Sequence, residues 1–88
     1  MQVEYLERFS KDVDNINQKM IKRKLLKFIN ELKSASNLTQ IHNLKKLSGH
    51  KSAYRIRIGD YRVGFFLDKN VIQLARVVHR KDIYKVFP

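Results

Sequence analysis

The amino-acid sequence predicts an α+β fold, in which an N-terminal α-hairpin packs on one face of a small antiparallel β-sheet. Three observations predict it: helical spacing of apolar side chains across residues 6–34, a hairpin pattern across residues 54–67, and a further run of strand-forming residues at 71–78. A chain of 88 residues is long enough for one modest core and too short for two. We therefore expect residues 1–88 to form a single domain.

The N-terminal segment predicts a short strand followed by two helices. Residues 1–5 are interpreted as the strand, and the first helix is expected at about 6–15. The second helix is expected at about 18–34, with Asn17 as its N-cap. Because only a short break separates the helices, they are expected to form an antiparallel α-hairpin. The apolar residues expected to face the sheet are Leu6, Phe9, Val13, Ile16, Ile21, Leu25, Phe28, Ile29 and Leu32.

A β-hairpin is predicted around the pair Gly59-Asp60. Glycine accepts a positive φ, so this pair suits a two-residue II′ turn. Such a turn fixes the register and places Arg57 opposite Arg62. Because side chains alternate along a strand, the hairpin has two distinct faces. One face, expected to be buried, holds Tyr54, Ile56, Ile58, Tyr61, Val63, Phe65 and Leu67, and the other holds Arg55, Arg57, Arg62, Gly64 and Phe66.

The arginine-bearing face of the hairpin is a candidate binding surface. Like charges directly opposite each other destabilise a pair of strands, so Arg57 and Arg62 are best explained if this face meets an anion. Gly64 has no side chain and is expected to leave room above the sheet for that ligand. A solvated sheet face is the alternative interpretation of the same arginines.

Two further segments complete the predicted sheet. Residues 71–78 are apolar on both faces, as expected of an inner strand. If residues 69–70 form a two-residue loop, Ala75 lies opposite Gly64 and extends a floor of small residues across the basic face. Residues 35–53 are expected to form an irregular connection that is anchored by a few apolar side chains.

The net charge of +11 predicts attraction to a polyanion, such as nucleic acid, an acidic protein or an anionic membrane. Residues 32–88 carry twelve basic side chains against three acidic ones, so the excess lies in the half that contains the hairpin. The sequence has no cysteine, no signal-peptide pattern and no apolar run near the roughly 20 residues that span a bilayer. We therefore expect a cytoplasmic protein without disulfides. No metal-ligand set or nucleotide-binding loop is recognisable, so no metal or cofactor is expected.

The last ten residues add candidate site residues. His79 is expected near the Gly59-Asp60 turn, beside the arginine row, and histidine is the side chain that ordinarily titrates near neutral pH. A strand-end residue bonded to backbone is its alternative role. If a helical turn begins here, Arg80 and Tyr84 share a face at i, i+4. Tyr84 is alternatively a partly buried aromatic residue that covers the sheet edge.

Two motifs together resemble the RelE/ParE toxin superfamily. They are Tyr-Arg-Ile-Arg-Ile-Gly-Asp-Tyr-Arg-Val at 54–63 and Val-His-Arg-Lys-Asp-Ile-Tyr at 78–84. The predicted order of a strand, two helices and a sheet is similar too, so the resemblance covers essentially the whole chain. It implies a toxin of a type II toxin–antitoxin system, held in check by a cognate antitoxin protein. RelE-like members are ribosome-dependent endoribonucleases that cut mRNA in the ribosomal A site and thereby inhibit translation.

The resemblance also implies a set of site residues. The family's basic positions on the two hairpin strands fall on Arg55, Arg57 and Arg62. Its C-terminal arginine and tyrosine fall on Arg80 and Tyr84. With His79 and the neighbouring lysines added, we expect the catalytic residues to be Arg57, Arg62, Arg80, Tyr84 and His79, and the RNA-binding residues to be Arg55, Lys46, Lys51 and Lys81.

One departure from the family concerns Arg55 and Arg57, where the best-studied RelE branch has lysines, one of which is assigned as general base. The pKa of an arginine side chain lies far above neutral pH, so arginine is a poor base. It suits the clamping of phosphate better than proton abstraction. The identity of the general base is therefore open. Two alternative functions are a ParE-like toxin that inhibits DNA gyrase by binding it, and a non-catalytic binding protein with the RelE fold.

Overall fold

The computed structural model describes all residues, 1–88, and confirms the α+β fold. Five strands, three helices and one 3₁₀ turn follow one another along the chain. None of the helices is both long enough and apolar enough to cross a membrane. In chain order the elements are β1 (Gln2–Tyr5), α1 (Glu7–Asp14), α2 (Lys19–Ser34), the 3₁₀ turn (Leu38–Gln40), β2 (Leu44–Lys46), β3 (Ala53–Ile58), β4 (Tyr61–Asp68), β5 (Val71–His79) and α3 (Ile83–Val86).

The five strands form one sheet in the order β1-β5-β4-β3-β2. Neighbours from β5 to β2 are antiparallel, whereas β1 runs parallel to β5, with Gln2 opposite Val71 and Tyr5 opposite Leu74. The sheet is therefore mixed, and the expectation of a purely antiparallel sheet is wrong at this edge. The two strands lie near opposite ends of the sequence, so no local pattern reports their relative direction.

The hairpin of β3 and β4 has the predicted register. Arg57 pairs with Arg62, and Arg55 pairs with Gly64. Gly59 has a φ of 58°, the left-handed value that a II′ turn requires of its first central residue. The apolar face is confirmed as well, because the main core contains Ile56, Ile58, Val63 and Phe65, with Tyr54, Tyr61 and Leu67 packed against it.

The pairing of β4 with β5 departs from the prediction at a β-bulge. Phe65 lies opposite Leu74, but the preceding Gly64 lies opposite Arg76, so Ala75 is an extra residue in β5. The expected pairing of Ala75 with Gly64 is therefore wrong. Every β5 residue after the bulge pairs one position away from its predicted partner and lies on the opposite face of the sheet.

Two local predictions in the first half of the chain are wrong. Within the expected irregular connection at 35–53, residues Leu44–Lys46 form β2, an edge strand that pairs with β3. Three residues are too few to show the alternation that indicates a strand. The N-cap of α2 is Gln18 rather than Asn17, and no side chain caps this helix end. Packing of its apolar face, more than a cap, stabilises α2.

The core has two parts, one on each face of the sheet. The main cluster lies between the α-hairpin and the sheet, and it includes all five apolar positions predicted for α2. A smaller cluster lies on the opposite face, where α3 and the residue after it cover part of the sheet. Its buried members are Leu47, Ala53, Ala75, Ile83 and Phe87. The face that was expected to be basic is consequently open only toward the turn end of the hairpin.

A nearly buried ion pair joins α1 to β5. Asp12 accepts two hydrogen bonds from the Arg76 guanidinium, at 2.8 and 3.1 Å, and a third from the Val77 N–H at 3.0 Å. This edge of β5 has no strand neighbour beyond Leu74, so Asp12 satisfies a backbone donor that a strand would otherwise satisfy. The hydrogen bond to Asp12 raises the pKa of Arg76, which therefore stays charged.

We expect Asp12→Ala to lower the free energy of unfolding by about 3 kcal/mol, because it leaves a nearly buried charge without its partner. The Arg76 and Asp12 side chains are only 15% and 11% exposed. Urea unfolding followed by circular dichroism measures the loss. Asp14→Ala is the control, since Asp14 is an exposed carboxylate on the same helix, and it should change stability by less than about 0.5 kcal/mol. Equal losses in the two variants would contradict the role assigned to the pair.

Candidate functional site

The Gly59-Asp60 turn is held from two sides. On the side of α2, a Cβ on Gly59 would lie 3.0 Å from the Cδ1 atom of Ile21, so this close packing favours glycine, as the positive φ does. On the other side, the Arg80 N–H donates a 2.8 Å hydrogen bond to the Asp60 carbonyl. The turn therefore joins the hairpin both to α2 and to the segment that follows β5.

A cationic cleft of about 500 Å³ surrounds this turn, and we refer to it as the turn cleft. It draws side chains from α2, from the residue before β2, from both hairpin strands and from the segment after β5. Its lining residues are Lys24, Asn43, Arg57, Ile58, Gly59, Asp60, Arg62 and Arg80. Four of these are cationic and one is acidic, so the cleft carries a net positive charge.

Arg62 is oriented by the turn itself. Its Nη1 atom donates hydrogen bonds to the carbonyls of Gly59 and Tyr61, at 3.0 and 2.9 Å. Because a guanidinium has five N–H donors, the others remain for a ligand. The chain has two ion pairs, and neither involves a residue of the turn cleft. The positive charge of the cleft is therefore not neutralised by the protein, which favours an anionic ligand.

Tyr84 stacks on Arg55 and is not packed in the core. The Arg55 Cζ atom lies 4.5 Å from the centroid of the Tyr84 ring, a cation–π arrangement, and Tyr84 is 72% exposed. The alternative in which Tyr84 is a partly buried cover for the sheet edge is therefore wrong. Arg80 does not share a helix face with Tyr84, because α3 begins only at Ile83 and Arg80 lies in the turn before it.

His79 does not lie beside the arginine row, contrary to the prediction. It pairs with Tyr61, whose side chain packs toward the α-hairpin, and the two rings meet edge to face at 5.8 Å. Its Nδ1 atom accepts a hydrogen bond from the Lys81 N–H at 3.2 Å. The bulge at Ala75 is the cause, because an unbulged strand would place His79 on the face of Arg62. The alternative role, a strand-end residue bonded to backbone, agrees with this arrangement.

The space above Gly64 is filled by the protein and not left for a ligand. A Cβ on Gly64 would overlap the ring of Phe87, which is buried and packs against Phe66 with ring centroids 5.1 Å apart. The expected floor of small residues therefore serves to seat Phe87. Because Phe87 follows α3 directly, this contact also holds α3 against the sheet and presents Tyr84 beside the arginines.

The sequence pattern did not predict β2, and this strand determines which lysine lies on the arginine face. Lys45 pairs with Arg55 and shares its face, whereas Lys46 pairs with Tyr54 and points to the other side. Lys46 therefore does not share the arginine face, and the register puts Lys45 there instead. If residues 44–46 had been predicted as a strand, side-chain alternation would have placed Lys45 and Lys46 on opposite faces of the sheet.

The remaining basic candidates divide into those that line the turn cleft and those that do not. Lys51, in the loop before β3, and Lys81, after β5, are exposed and lie outside the lining. Lys24 and Asn43 line the cleft, although the sequence pattern does not identify them. Lys24 follows Ile21 by three residues on α2, but helical spacing alone does not show that this part of α2 meets the hairpin turn.

No group of three or more histidine, aspartate or glutamate side chains is placed to hold a metal ion.

We expect Gly64→Ala to destabilise the fold by about 1–3 kcal/mol, because the added methyl group overpacks the seat of Phe87. In a Phe87→Ala background the same substitution should cost less than about 0.5 kcal/mol, since the ring that it overlaps is absent. Urea unfolding of the four proteins of this double-mutant cycle measures the coupling. Additive effects would contradict the inference that Gly64 is required by Phe87.

A family model and two curated relatives indicate the same family. The family described as "ParE toxin of type II toxin-antitoxin system, parDE" matches residues 3–84. The Methanocaldococcus jannaschii protein named Toxin RelE3 is 36% identical over 89 aligned residues, which cover the whole of both chains. Putative toxin RelE1 from the same organism is 29% identical over 85 residues, which cover 94% of this chain and 93% of that protein.

Solved structures share the fold. The RelB-RelE antitoxin-toxin complex from Methanococcus jannaschii matches with a TM-score of 0.82 and 32% identity, covering 96% of this chain and 98% of the matched one. The archaeal RelE-RelB complex from Pyrococcus horikoshii OT3 matches with a TM-score of 0.73 and 25% identity, covering 90% and 93%. Because the fold, the family match and a full-length relative agree, this chain belongs to the RelE/ParE toxin family of type II toxin–antitoxin systems.

Proposed function

We propose that this chain is a RelE-type toxin, an endoribonuclease that cuts mRNA on the ribosome and thereby inhibits translation. The observation that carries the proposal is the turn cleft, where Arg57, Arg62 and Arg80 converge without a paired carboxylate. A cluster of unneutralised arginines suits the phosphate backbone of RNA. Full-length similarity to proteins named RelE supports the same function.

The relatives favour this function over gyrase inhibition. The matching family is named after ParE, but the full-length relatives and the more similar solved structures carry RelE names. We give the relatives weight because Toxin RelE3 is 36% identical to this chain over the whole of both chains. The positions that the resemblance assigns to RNA cleavage carry Arg55, Arg57, Arg62, Arg80 and Tyr84 here, with arginine in place of lysine at 55 and 57, and three of these residues line one cleft.

Cleavage of RNA by its own 2′-hydroxyl has three chemical requirements. A base takes the hydroxyl proton, cations stabilise the pentavalent phosphorane, and an acid protonates the departing 5′-oxygen. We assign phosphorane stabilisation to Arg62 and Arg80. Arg62 is already oriented by two carbonyls of the turn, so it needs little reorganisation during the reaction. Arg57, opposite Arg62, binds the same phosphate group, and no step of this scheme uses a metal ion.

The proton acceptor is assigned to Asp60. Position 57 is an arginine, which is a poor base, and His79 lies on the other face of the sheet. Asp60 is the only carboxylate among the residues that line the turn cleft, and a carboxylate can serve as a general base. The ribosome contributes by holding the 2′-hydroxyl in line with the scissile bond, so a weak base is sufficient. A solvent water molecule protonates the departing 5′-oxygen.

Tyr84 and Arg55 are proposed to bind a neighbouring nucleotide. The Arg55 guanidinium contacts the Tyr84 ring, and the high exposure of Tyr84 leaves the ring accessible to a base. Bases of single-stranded RNA stack on aromatic rings and on guanidinium planes. Such stacking next to the turn cleft would place the backbone of the same strand over the arginines.

An antitoxin of the RelB type is the proposed protein partner. The two archaeal structures are titled as complexes of RelB with RelE. This chain combines a net charge of +11 with large apolar side chains that are exposed outside the turn cleft, namely Tyr5, Met20 and Leu26. A partner segment with acidic and apolar residues would complement both features.

Arg62→Ala and Arg80→Ala are each expected to slow mRNA cleavage by about 10² to 10³, because each removes a donor that stabilises charge in the transition state. Cleavage is measured on ribosomes programmed with mRNA, and growth arrest is measured on expression. Arg8→Ala is the control, since Arg8 is an exposed arginine of α1 outside the turn cleft. It should cleave as the wild type does, and all three variants should remain folded and bind the antitoxin.

A different result would identify the gyrase-type alternative. Full toxicity of the Arg57→Ala/Arg62→Ala double variant would contradict the proposed nuclease site. If expression of the wild type caused DNA damage while translation continued, gyrase inhibition would replace mRNA cleavage as the function. Antitoxin binding without any growth arrest would instead favour the non-catalytic binding protein.

Tyr84→Phe is expected to keep most of the activity, because phenylalanine preserves the ring that stacks on Arg55. Tyr84→Ala should weaken binding to mRNA-programmed ribosomes by about 1–3 kcal/mol, the usual contribution of one stacked base. Tyr5→Ala, which removes another exposed tyrosine on β1, is the control and should not change this affinity. Equal losses in Tyr84→Phe and Tyr84→Ala would contradict stacking and assign the role to the hydroxyl group.

A further inference from the structure

Lys24 reaches the turn cleft from α2, an element that otherwise belongs to the core of the protein. Its Nζ atom lies 4.0 Å from the position that a Cβ on Gly59 would occupy. Ile21, three residues earlier on the same helix, packs against the same glycine and is buried. The contact between Ile21 and Gly59 therefore sets the position of α2 over the turn, and with it the position of Lys24.

The Lys24 ammonium has no partner within the protein. It takes part in neither of the two ion pairs and in none of the side-chain hydrogen bonds, and its residue is exposed. It lines the same cleft as Arg57, Arg62 and Arg80. A fourth cation in this cleft adds repulsion in the free protein, and an anionic ligand relieves that repulsion.

The dimensions of the turn cleft exceed those of a single phosphate group. Its volume of about 500 Å³ falls in the range of clefts that hold drug-sized ligands. Arg57 and Arg62 approach it from one face of the sheet, whereas Lys24 approaches it from α2, on the other side of the turn. The two groups of cations are thus arranged around the turn rather than around one point.

We propose that Lys24 binds the phosphate next to the scissile one, so that the RNA backbone passes from the arginines over the hairpin turn toward α2. The inference deepens the proposed function and rests on it. Lys24 makes a point-charge contact with a phosphate that undergoes no bond change, so it stabilises the bound RNA and the transition state equally. Losing such a contact raises KM and leaves kcat unchanged, in contrast to the loss of Arg62.

The test compares Lys24→Gln with Lys22→Gln in the full chain. Both substitutions remove one positive charge from an exposed position of α2, so they change the net charge equally. The two side chains lie about 160° apart around the helix, so only Lys24 faces the turn cleft. The probes are ribosomes programmed with mRNA for cleavage, and a short single-stranded RNA for binding measured by fluorescence anisotropy.

Lys24→Gln is expected to raise KM for programmed ribosomes about tenfold, as for the loss of one charged hydrogen bond, with kcat within about twofold of wild type. The slope of log affinity against log salt for the short RNA should fall by about 0.7, the value for one phosphate contact on a single strand. Lys24→Arg should restore both values, because it returns the charge. Lys22→Gln should leave KM and the salt slope as in the wild type.

Two results would overturn the assignment of Lys24. One is equal behaviour of Lys24→Gln and Lys22→Gln, and the other is a fall in kcat with KM unchanged. Failure of the proposed function is recognised separately, because wild-type protein would then not cleave mRNA on programmed ribosomes. In that case the salt slopes for the short RNA still decide whether Lys24 contacts phosphate.

Discussion

The two-residue turn at Gly59-Asp60 is the constraint on which the candidate site depends. Its glycine adopts a positive φ and lies directly beneath Ile21, where a side chain would be crowded, and its aspartate carbonyl binds the Arg80 N–H. Since α2, the hairpin and the segment after β5 all meet at this turn, the cations that they carry meet there as well. Packing and backbone hydrogen bonding at the turn, and not pairing with opposite charges, therefore bring the cations of the turn cleft together. This explains how a protein assembles like charges without a bound anion: the folding energy comes from the apolar contacts beneath them.

A second constraint, the bulge at Ala75, decides which β5 side chains reach the site. The extra residue rotates the rest of the strand, so that His79 joins Tyr61 on the helix side while Val78 lies opposite Arg62. The same irregularity lies where β5 loses β1 as its neighbour and where Asp12 instead accepts a hydrogen bond from the Val77 N–H. Bulges commonly end or redirect strand pairing in this way. The consequence for function is that arginines supply most of the positive charge of the turn cleft, and no histidine lines it.

The far side of the sheet is divided into a part that the protein covers and a part that stays open. Phe87 occupies the space above Gly64 and belongs to a small apolar cluster, which closes that part of the face. The remainder, nearer the turn, stays open and basic. The boundary also positions α3, whose exposed Tyr84 lies on Arg55. A single packing contact therefore limits the extent of the candidate RNA surface and presents an aromatic ring at its margin.

The sequence by itself determined the hairpin, the buried stripe of α2 and the shared face of Arg57 and Arg62, because turn chemistry and side-chain alternation act over a few neighbouring residues. It also contained the motifs that resemble the RelE/ParE family, which the comparisons confirm. The tertiary structure alone decided that β1 runs parallel to β5 and that a bulge places His79 on the helix side of the sheet. It also decided that Phe87 packs over Gly64 and that Lys24 lines the turn cleft. Each of these depends on contacts between segments far apart in the chain, and the packing of such segments leaves no local period in the sequence from which it could be predicted.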